Sequence, residues 1–425
     1  MPPILVRPVA TPGELKLQLQ LADQAFAPEP SPESAERWRE VITSSPEFRP
    51  EEIRGAFRGT EQLGGFIIYE RKLCMGKAQL TTGCISAVVT HPTYRHLGVA
   101  RTLMHDAIDY ALTHKHALLL LDGIPKFYYR FGYTDMFDLS VQDINRSAVL
   151  ALPSSTYSVR PATVDDAPSV LALYQRQYNP STGSFVRTLE RQTHLLQHRS
   201  SQNPLLLAVD PSGNARGYLT LSRGEEYPQA LEMAADDWPA AVALLQYHAR
   251  LLSGPDAPEA LRYRLPATAP VLQWMIDNLE VPDTTMWRHP TDEWGVRGQS
   301  FHHRYTGWMA RLVHLPTLAQ EILPEWQARW QHSLAHWSGT LSLAVDDAIC
   351  TLHINGPELT LSEQSNPSTY TLHLTIQEFV QLLFGYRPVN LLIAKKAQST
   401  SDDLLSILTI LFPTGHTWIP SSDGF

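Results

Sequence analysis

The sequence has little cysteine: Cys74, Cys84 and Cys350 are the only three in 425 residues. An odd, scattered set supplies neither a disulfide framework nor a zinc pattern and fits a reducing, cytoplasmic setting. The N-terminal residues Met1-Pro2-Pro3-Ile4-Leu5-Val6-Arg7 have no apolar signal core. Apolar runs such as Ala117–Leu121 are far too short for a membrane span, so no membrane partner is expected. Positive charge is not in excess either. Lysine and arginine total 34 against 43 acidic residues, a net charge of -9, which argues against nucleic acid as the main partner and leaves room for a cationic substrate. Neither His-Glu-x-x-His, Gly-x-Ser-x-Gly nor a Walker loop occurs. The 17 histidines include an adjacent pair, His302-His303, and His114 and His116 two apart. The latter two fall near an expected helix end, facing solvent or the helix dipole, so no metal is expected.

What is present is the composition of a folded protein, 43% hydrophobic and 18% charged, and its length calls for two to three domains. Two segments open alike. Leu5-Val6-Arg7-Pro8 leads into Glu14–Leu19, and Ser158-Val159-Arg160-Pro161 leads into Asp165–Leu173. Each reads as a short strand ended by proline and followed by a helix, which points to a duplicated fold. Strand-like runs follow the first opening at Ile53–Phe57, Gly65–Tyr69 and Cys84–Thr90. A helix is expected from Gly98 to about His114, with Val99, Leu103, Ala107 and Ala111 on its buried face. Ala117–Leu121 reads as a buried strand and leads to Phe127-Tyr128-Tyr129-Arg130-Phe131-Gly132-Tyr133. The second copy repeats strands at Pro204–Val209, Gly217–Ser222 and Leu231–Ala234. From about Tyr305 a third texture begins, with strand-like Trp308–Val313, a helix over Pro316–Trp330, four further strands and two helices.

The stretch with most chemistry is Val88-Val89-Thr90-His91-Pro92-Thr93-Tyr94-Arg95-His96-Leu97-Gly98-Val99-Ala100. It reads as a strand, a basic glycine-containing loop and a helix start. Unpaired N–H groups and the helix dipole make such a start attractive to phosphate, and Gly98 lets a ligand approach the backbone. The second copy has Ala235-Asp236-Asp237-Trp238-Pro239 at the corresponding place, and this acidic filling repels phosphate.

Ile85–Ala100, with Arg95-His96-Leu97-Gly98-Val99-Ala100 in the form Arg/Gln-x-x-Gly-x-Gly/Ala, resembles motif A of the GNAT N-acetyltransferases. His96 and Leu97 depart from the more usual Arg-Gly filling. The resemblance implies acetyl-CoA as donor, with Val88, Val89 and Thr90 along its pantetheine arm and Arg95, His96, Gly98, Val99 and Ala100 around its pyrophosphate. Tyr-x-Arg-Phe-Gly-Tyr resembles the segment whose tyrosine protonates the departing thiolate in that family, which places this role on Tyr128. Tyr129 points another way, and Tyr133 is expected to pack.

The three-part layout is similar to that of the Eis-type acetyltransferases. In the last part the likeness rests on Gly307–Val313 and Leu374–Phe379. It implies an α+β (mixed α/β) chain of tandem GNAT folds with a C-terminal sterol-carrier-protein-like domain, over residues 1–152, 153–300 and 301–425. It further implies a homo-oligomer, a hexamer in the family, and a terminal carboxylate, here that of Phe425, serving as base for a small-molecule amine or a lysine. A non-catalytic acyl-CoA-binding scaffold and a lipid-binding protein are the alternatives.

Overall fold

The computed structural model describes residues 3–27, 29–124, 126–198, 205–222, 227–254, 256–279, 298–303, 307–362, 368–394, 401–415 and 417–424. Packing divides the chain into two units, residues 1–137 with 305–415 and residues 138–304 with 416–424. This division follows other lines than the spans 1–152, 153–300 and 301–425.

The first unit is built on a seven-stranded sheet. Its strands are β1 (Leu5–Pro8), β2 (Ile53–Arg58), β3 (Glu61–Met75), β4 (Ala78–Thr90), β5 (Leu118–Asp122), β6 (Thr134–Asp135) and β14 (Trp308–Leu312), in the order β1-β2-β3-β4-β5-β14-β6. The first four are antiparallel, β4 and β5 are parallel, and β14 lies antiparallel between β5 and β6. Thus Trp308–Leu312, expected to begin a separate third part, completes the first sheet. The parallel step is bridged by the helix Val99–Thr113, which buries Val99, Leu103, Met104, Ala107 and Ala111. Asp106 on that helix pairs with Arg54 of β2.

β3 and β4 form a longer hairpin than the hydrophobic pattern indicates, because its polar half has ionic partners. Arg71 donates to Glu47 at 2.9 Å, and Glu321 accepts from the Thr81 N–H at 2.7 Å. Glu325 accepts from the Lys77 N–H at 2.7 Å at the hairpin tip. Both acceptors lie on the helix Leu315–His332 of the same unit. His116 is buried rather than solvent-facing, with its Nε2 3.1 Å from Glu70 Oε2. A four-stranded sheet, β17-β16-β15-β18, completes this unit, from β15 (Ser338–Val345), β16 (Ala348–Asn355), β17 (Glu358–Ser362) and β18 (Tyr370–Leu374).

The second unit repeats the first sheet's plan. Its strands are β7 (Leu139–Asn145), β8 (Ser158–Pro161), β9 (Leu205–Val209), β10 (Ala215–Leu221), β11 (Ala230–Ala235), β12 (Ala260–Tyr263) and β13 (Gly298–His303). They run β8-β9-β10-β11-β12-β7-β13, again with one parallel pair, β11 and β12. The matched openings fold alike as well. Arg7 grips Glu14 with two hydrogen bonds of 3.0 and 2.7 Å, and Arg160 grips Asp166 with two of 2.7 and 2.8 Å. These arginines draw both carboxyls down to about 2. The chain is therefore a mixed α/β protein whose two seven-stranded sheets are consistent with tandem GNAT folds.

Among the described residues, no helix is long and apolar enough to cross a membrane. No described group of three or more His, Cys, Asp or Glu side chains is placed to hold a metal ion.

Candidate active site

The site begins where β4 and β5 part. β5 pairs only with Thr82–Ile85, while β4 continues to Thr90. The parting coincides with an irregularity. The β3–β4 register slips between Gly65 and Ile67, and Ala87 adopts φ +50°. Gln18 Nε2 holds the Ala87 carbonyl at 3.3 Å. Val88, Val89 and Thr90 therefore extend past the end of the β5 pairing, and among the described residues no strand lies against the backbone edge that faces away from β3. Such an edge can hydrogen-bond an extended, amide-containing ligand. Gly64 permits close pairing here, since a Cβ there would lie 2.3 Å from the Val89 carbonyl oxygen.

The loop that follows is wound by short-range contacts. The N–H groups of Tyr94, Arg95 and Leu97 donate to the carbonyls of His91, Pro92 and Tyr94. His96 at φ +69° and Gly98 at φ +83° then turn the backbone through two left-handed positions. The helix Val99–Thr113 begins at Gly98 without a side-chain cap. Among the described residues, the N–H groups of His96, Gly98, Val99, Ala100 and Arg101 meet no acceptor. Among the described residues, a Cβ added to Gly98 would meet nothing within 4 Å, so they leave the space before the helix open. Arg95, His96, Leu97 and Gly98 are all exposed. Convergent unused donors, an open approach and the positive end of a 15-residue helix fit a pyrophosphate.

The second unit fills the equivalent position with its own chain. Asp237 caps the helix Trp238–Leu251, accepting from the Ala240 N–H at 2.9 Å. Arg216 donates to the same carboxylate at 3.1 and 3.2 Å, and Arg176 lies 2.8 Å from Asp236. An internal carboxylate thus occupies the place that an anion takes at an uncapped helix start.

The tyrosine segment lies after β5, the parallel neighbour of β4. The C-terminal ends of adjacent parallel strands point the same way, and ligands collect at the crevice outside them. Tyr128–Phe131 forms a single 3-10 turn. Tyr128 is buried, with its ring edge-on to Phe127 at 4.9 Å and to Tyr133 at 6.0 Å. Burial pushes its hydroxyl up to about 12, so it carries its proton throughout the neutral range. Tyr129 is committed elsewhere, donating to Asp135 at 2.7 Å. Tyr133 is fully buried, and burial raises its pKa also.

Distant residues hold this turn, and nothing in the sequence pattern points to them. Arg311 donates to the Phe131 carbonyl at 2.8 Å, and Gln377 to that of Tyr129 at 3.0 Å. Gln381 donates to Thr134 at 2.7 Å. Gly123 makes room for the ring, because a Cβ there would lie 2.3 Å from Tyr128 Cε2. Phe425 lies outside the described residues. Asp23 is buried and structural, accepting from the Ser31 N–H at 3.0 Å and from the Ser34 hydroxyl.

Residues 6–136 match the family described as Acetyltransferase (GNAT) domain. No curated protein matches the chain in sequence. Solved structures resemble it over the full length. A conserved protein of unknown function from Enterococcus faecalis V583, a probable N-acyltransferase, is 17% identical with a TM-score of 0.75, covering 100% of both chains. A GCN5-related N-acetyltransferase from Kribbella flavida is 17% identical with a TM-score of 0.74, covering 100% of this chain and 98% of its own. Eis1 from Mycobacterium abscessus is 14% identical with a TM-score of 0.63, covering 100% of both. At these identities the likeness is one of fold. The chain carries a GNAT acetyltransferase domain and is an acyltransferase.

Proposed function

We propose that the chain transfers an acetyl group from acetyl-CoA to a primary amine of a small molecule, aminoglycoside- or polyamine-like, or of lysine. The observation that carries this reading is the open, uncapped helix start at Gly98, next to the unpaired backbone edge of Val88–Thr90. The N–H groups of His96, Gly98, Val99, Ala100 and Arg101 would hold the pyrophosphate, with the Arg95 and His96 side chains at its rim. Val88, Val89 and Thr90 would hold the pantetheine arm. The donor supplies an acetyl group on a thioester, whose sulfur leaves as a thiolate.

In the transfer a C–N bond forms and a C–S bond breaks; the amine nitrogen gives up a proton and the sulfur gains one. Tyr128 donates the proton to sulfur. A hydroxyl raised to about 12 is a weak acid in water, but the burial that raises it also raises the proton affinity of a thiolate formed beside it. The Phe425 α-carboxylate accepts the amine proton, directly or through water. Backbone N–H groups of the splayed β4 edge stabilise charge on the carbonyl oxygen.

The net charge of -9 supports a cationic acceptor. A cysteine count of only three in 425 residues supports a cytoplasmic setting. Residues 301–425 form a sterol-carrier-like domain in this reading, used as scaffold within a homo-oligomer. Its hold on the Tyr128 turn through Gln377 supports the scaffold role.

The test is a CoA-release assay over a panel of amines, followed by Tyr128→Phe. Turnover falls by ~10²- to 10⁴-fold on loss of a general acid while acetyl-CoA binding is retained. Unchanged turnover in Tyr128→Phe overturns its assignment.

A further inference from the structure

We infer that Asp122 and Trp308 form a subsite for a second, non-reacting ammonium group of the acceptor, so that the chain selects amines carrying two positive charges; the inference rests on the acetyl transfer proposed above.

Alternation along β5 sorts its side chains between the two faces of the first sheet. Leu119 and Leu121 join Tyr128, Met309, Val99, Leu103 and Met104 in one buried cluster, so the helix Val99–Thr113 closes that face. Gly123 belongs to the same face, since a Cβ there would meet Leu121 and the Tyr128 ring. Asp122, between Leu121 and Gly123, faces the other way. On that second face Gln18, from the helix Pro12–Phe26, reaches the Ala87 carbonyl of β4 and lies over Gly65 of β3. Asp122 keeps an exposed surface there, at the carboxyl end of β5. Because Tyr128 and its apolar neighbours fill the first face, an acceptor approaching a thioester along Val88–Thr90 is left the second. Asp122 is the charged side chain that β5 presents on it.

The carboxylate has an aromatic neighbour. β14 pairs with β5 in antiparallel register, with Trp308 directly opposite Asp122. Opposed residues share a face, with Cβ atoms roughly 4.5–5.5 Å apart. Trp308 is half-buried, and its ring lies 6.3 Å from that of the buried Phe137. Gly307 clears the space for the carboxylate. At φ +85° its backbone comes so close that a Cβ would lie 2.2 Å from Asp122 Oδ1. Among the described residues, neither a cation nor a hydrogen-bond donor stabilises the ionised Asp122; the protein wall beside it desolvates the carboxyl and raises its pKa. An unpartnered, partly desolvated carboxylate next to an indole suits an ammonium group. The carboxylate takes charge-assisted hydrogen bonds, and the ring face attracts the cation.

The chemistry of the transfer decides which ammonium this is. The reacting nitrogen must be neutral to attack. A carboxylate held against it would favour its protonated form and slow the reaction. A second ammonium elsewhere in the acceptor carries no such conflict, because it keeps its charge throughout. It is bound equally in the ground and transition states, and such uniform binding is read in KM rather than in kcat.

The test compares 1,4-diaminobutane with 1-aminobutane on the full-length protein and on Asp122→Asn and Trp308→Phe. CoA release gives kcat and KM separately, titration calorimetry without CoA gives diamine binding, and acetyl-CoA affinity reports that each variant is folded. The wild-type protein is expected to prefer the diamine. Asp122→Asn should cut that preference by about 10- to 100-fold, through KM, and abolish the calorimetric signal. Trp308→Phe keeps an aromatic ring and should cut it less. A preference retained in Asp122→Asn, or an equal loss for both amines, overturns the subsite and leaves acetyl transfer standing. If neither amine releases CoA from the wild-type protein, acetyl transfer to such amines falls and calorimetry decides the subsite by itself. Diamine binding abolished by Asp122→Asn then keeps it, and equal binding to both proteins removes it.

Discussion

Gly123→Ala tests the active-site geometry without touching a chemical group. The added Cβ would sit 2.3 Å from Tyr128 Cε2, where ordinary contact begins at 3.4 Å, so the ring must retreat by about 1.1 Å. Leu121 Cδ1 at 2.8 Å from the same Cβ blocks the alternative of moving the backbone toward β5. Phe127 and Tyr133 pack the ring edge-on, so the displacement passes to the hydroxyl. A catalytic group misplaced by ~1 Å costs up to about 10²-fold, and a loss of 10- to 100-fold corresponds to roughly 1.4–2.8 kcal/mol of barrier. The measurement is kcat/KM for CoA release alongside acetyl-CoA affinity, which should be unchanged. Because Gly123 acts through Tyr128, its effect should vanish in the Tyr128→Phe background. Full activity in Gly123→Ala, or losses that multiply in the double variant, would refute the reasoning.

Other perturbations separate the parts of the protein. Gly98→Val forces a β-branched residue to φ +83° and puts methyl groups into the open approach; acetyl-CoA affinity should fall, whereas Gly59→Val, at φ +62° and also in open space, should cost about 1 kcal/mol of stability without affecting binding. Asp237→Ala removes a helix cap, so thermal unfolding should report a loss of about 1 kcal/mol with turnover intact. Glu52 is buried and raised to about 8, with one carboxylate oxygen unpartnered among the described residues. The native state thus holds a proton that the unfolded chain releases above 4.5, and stability declines from about pH 4.5 to 8. Glu52→Gln should abolish that decline, visible as a higher relative Tm at pH 9 than at pH 5; a parallel shift at both would argue against it.

The β4 to helix segment is legible in the sequence because its chemistry is local. A strand, a glycine loop and an apolar stripe lie close together in the chain, and the expected helix ends fall within a residue of Val99–Thr113. The duplicated openings are legible for the same reason, since Arg7 and Arg160 each bond a carboxylate only six or seven residues on. What escapes the pattern depends on long-range partners. The polar half of the β3–β4 hairpin lacks alternation, and its stabilising carboxylates, Glu321 and Glu325, lie some 240 residues away. The helix Pro32–Thr43 leaves little periodic trace although Ser31 caps it, because Glu33, Glu36, Arg37, Arg39 and Glu40 crowd its few apolar positions. The supports of Tyr128 are hidden because an arginine or glutamine bonded to a turn carbonyl leaves no periodic trace at all. Arg187 of the second unit is likewise invisible, its partners Glu232 and Asp423 being 45 and 236 residues distant. Gly123 offers the one readable signal, a glycine directly after the β5 strand.

The order in which strands leave the ribosome differs from their order in the first sheet. β14 sits between β5 and β6, yet it is made about 170 residues after β6. At ~5–20 residues per second the nascent chain waits roughly 10–35 s with the inner edge of β5 uncovered. During that interval Leu118–Leu121 presents an apolar, unpaired edge, the kind that recruits other chains. A fragment ending near residue 137 would be held in that state permanently. The first sheet is therefore a product of the whole chain, and expression of the N-terminal part alone should yield aggregates that added Trp308–Leu312 sequence relieves.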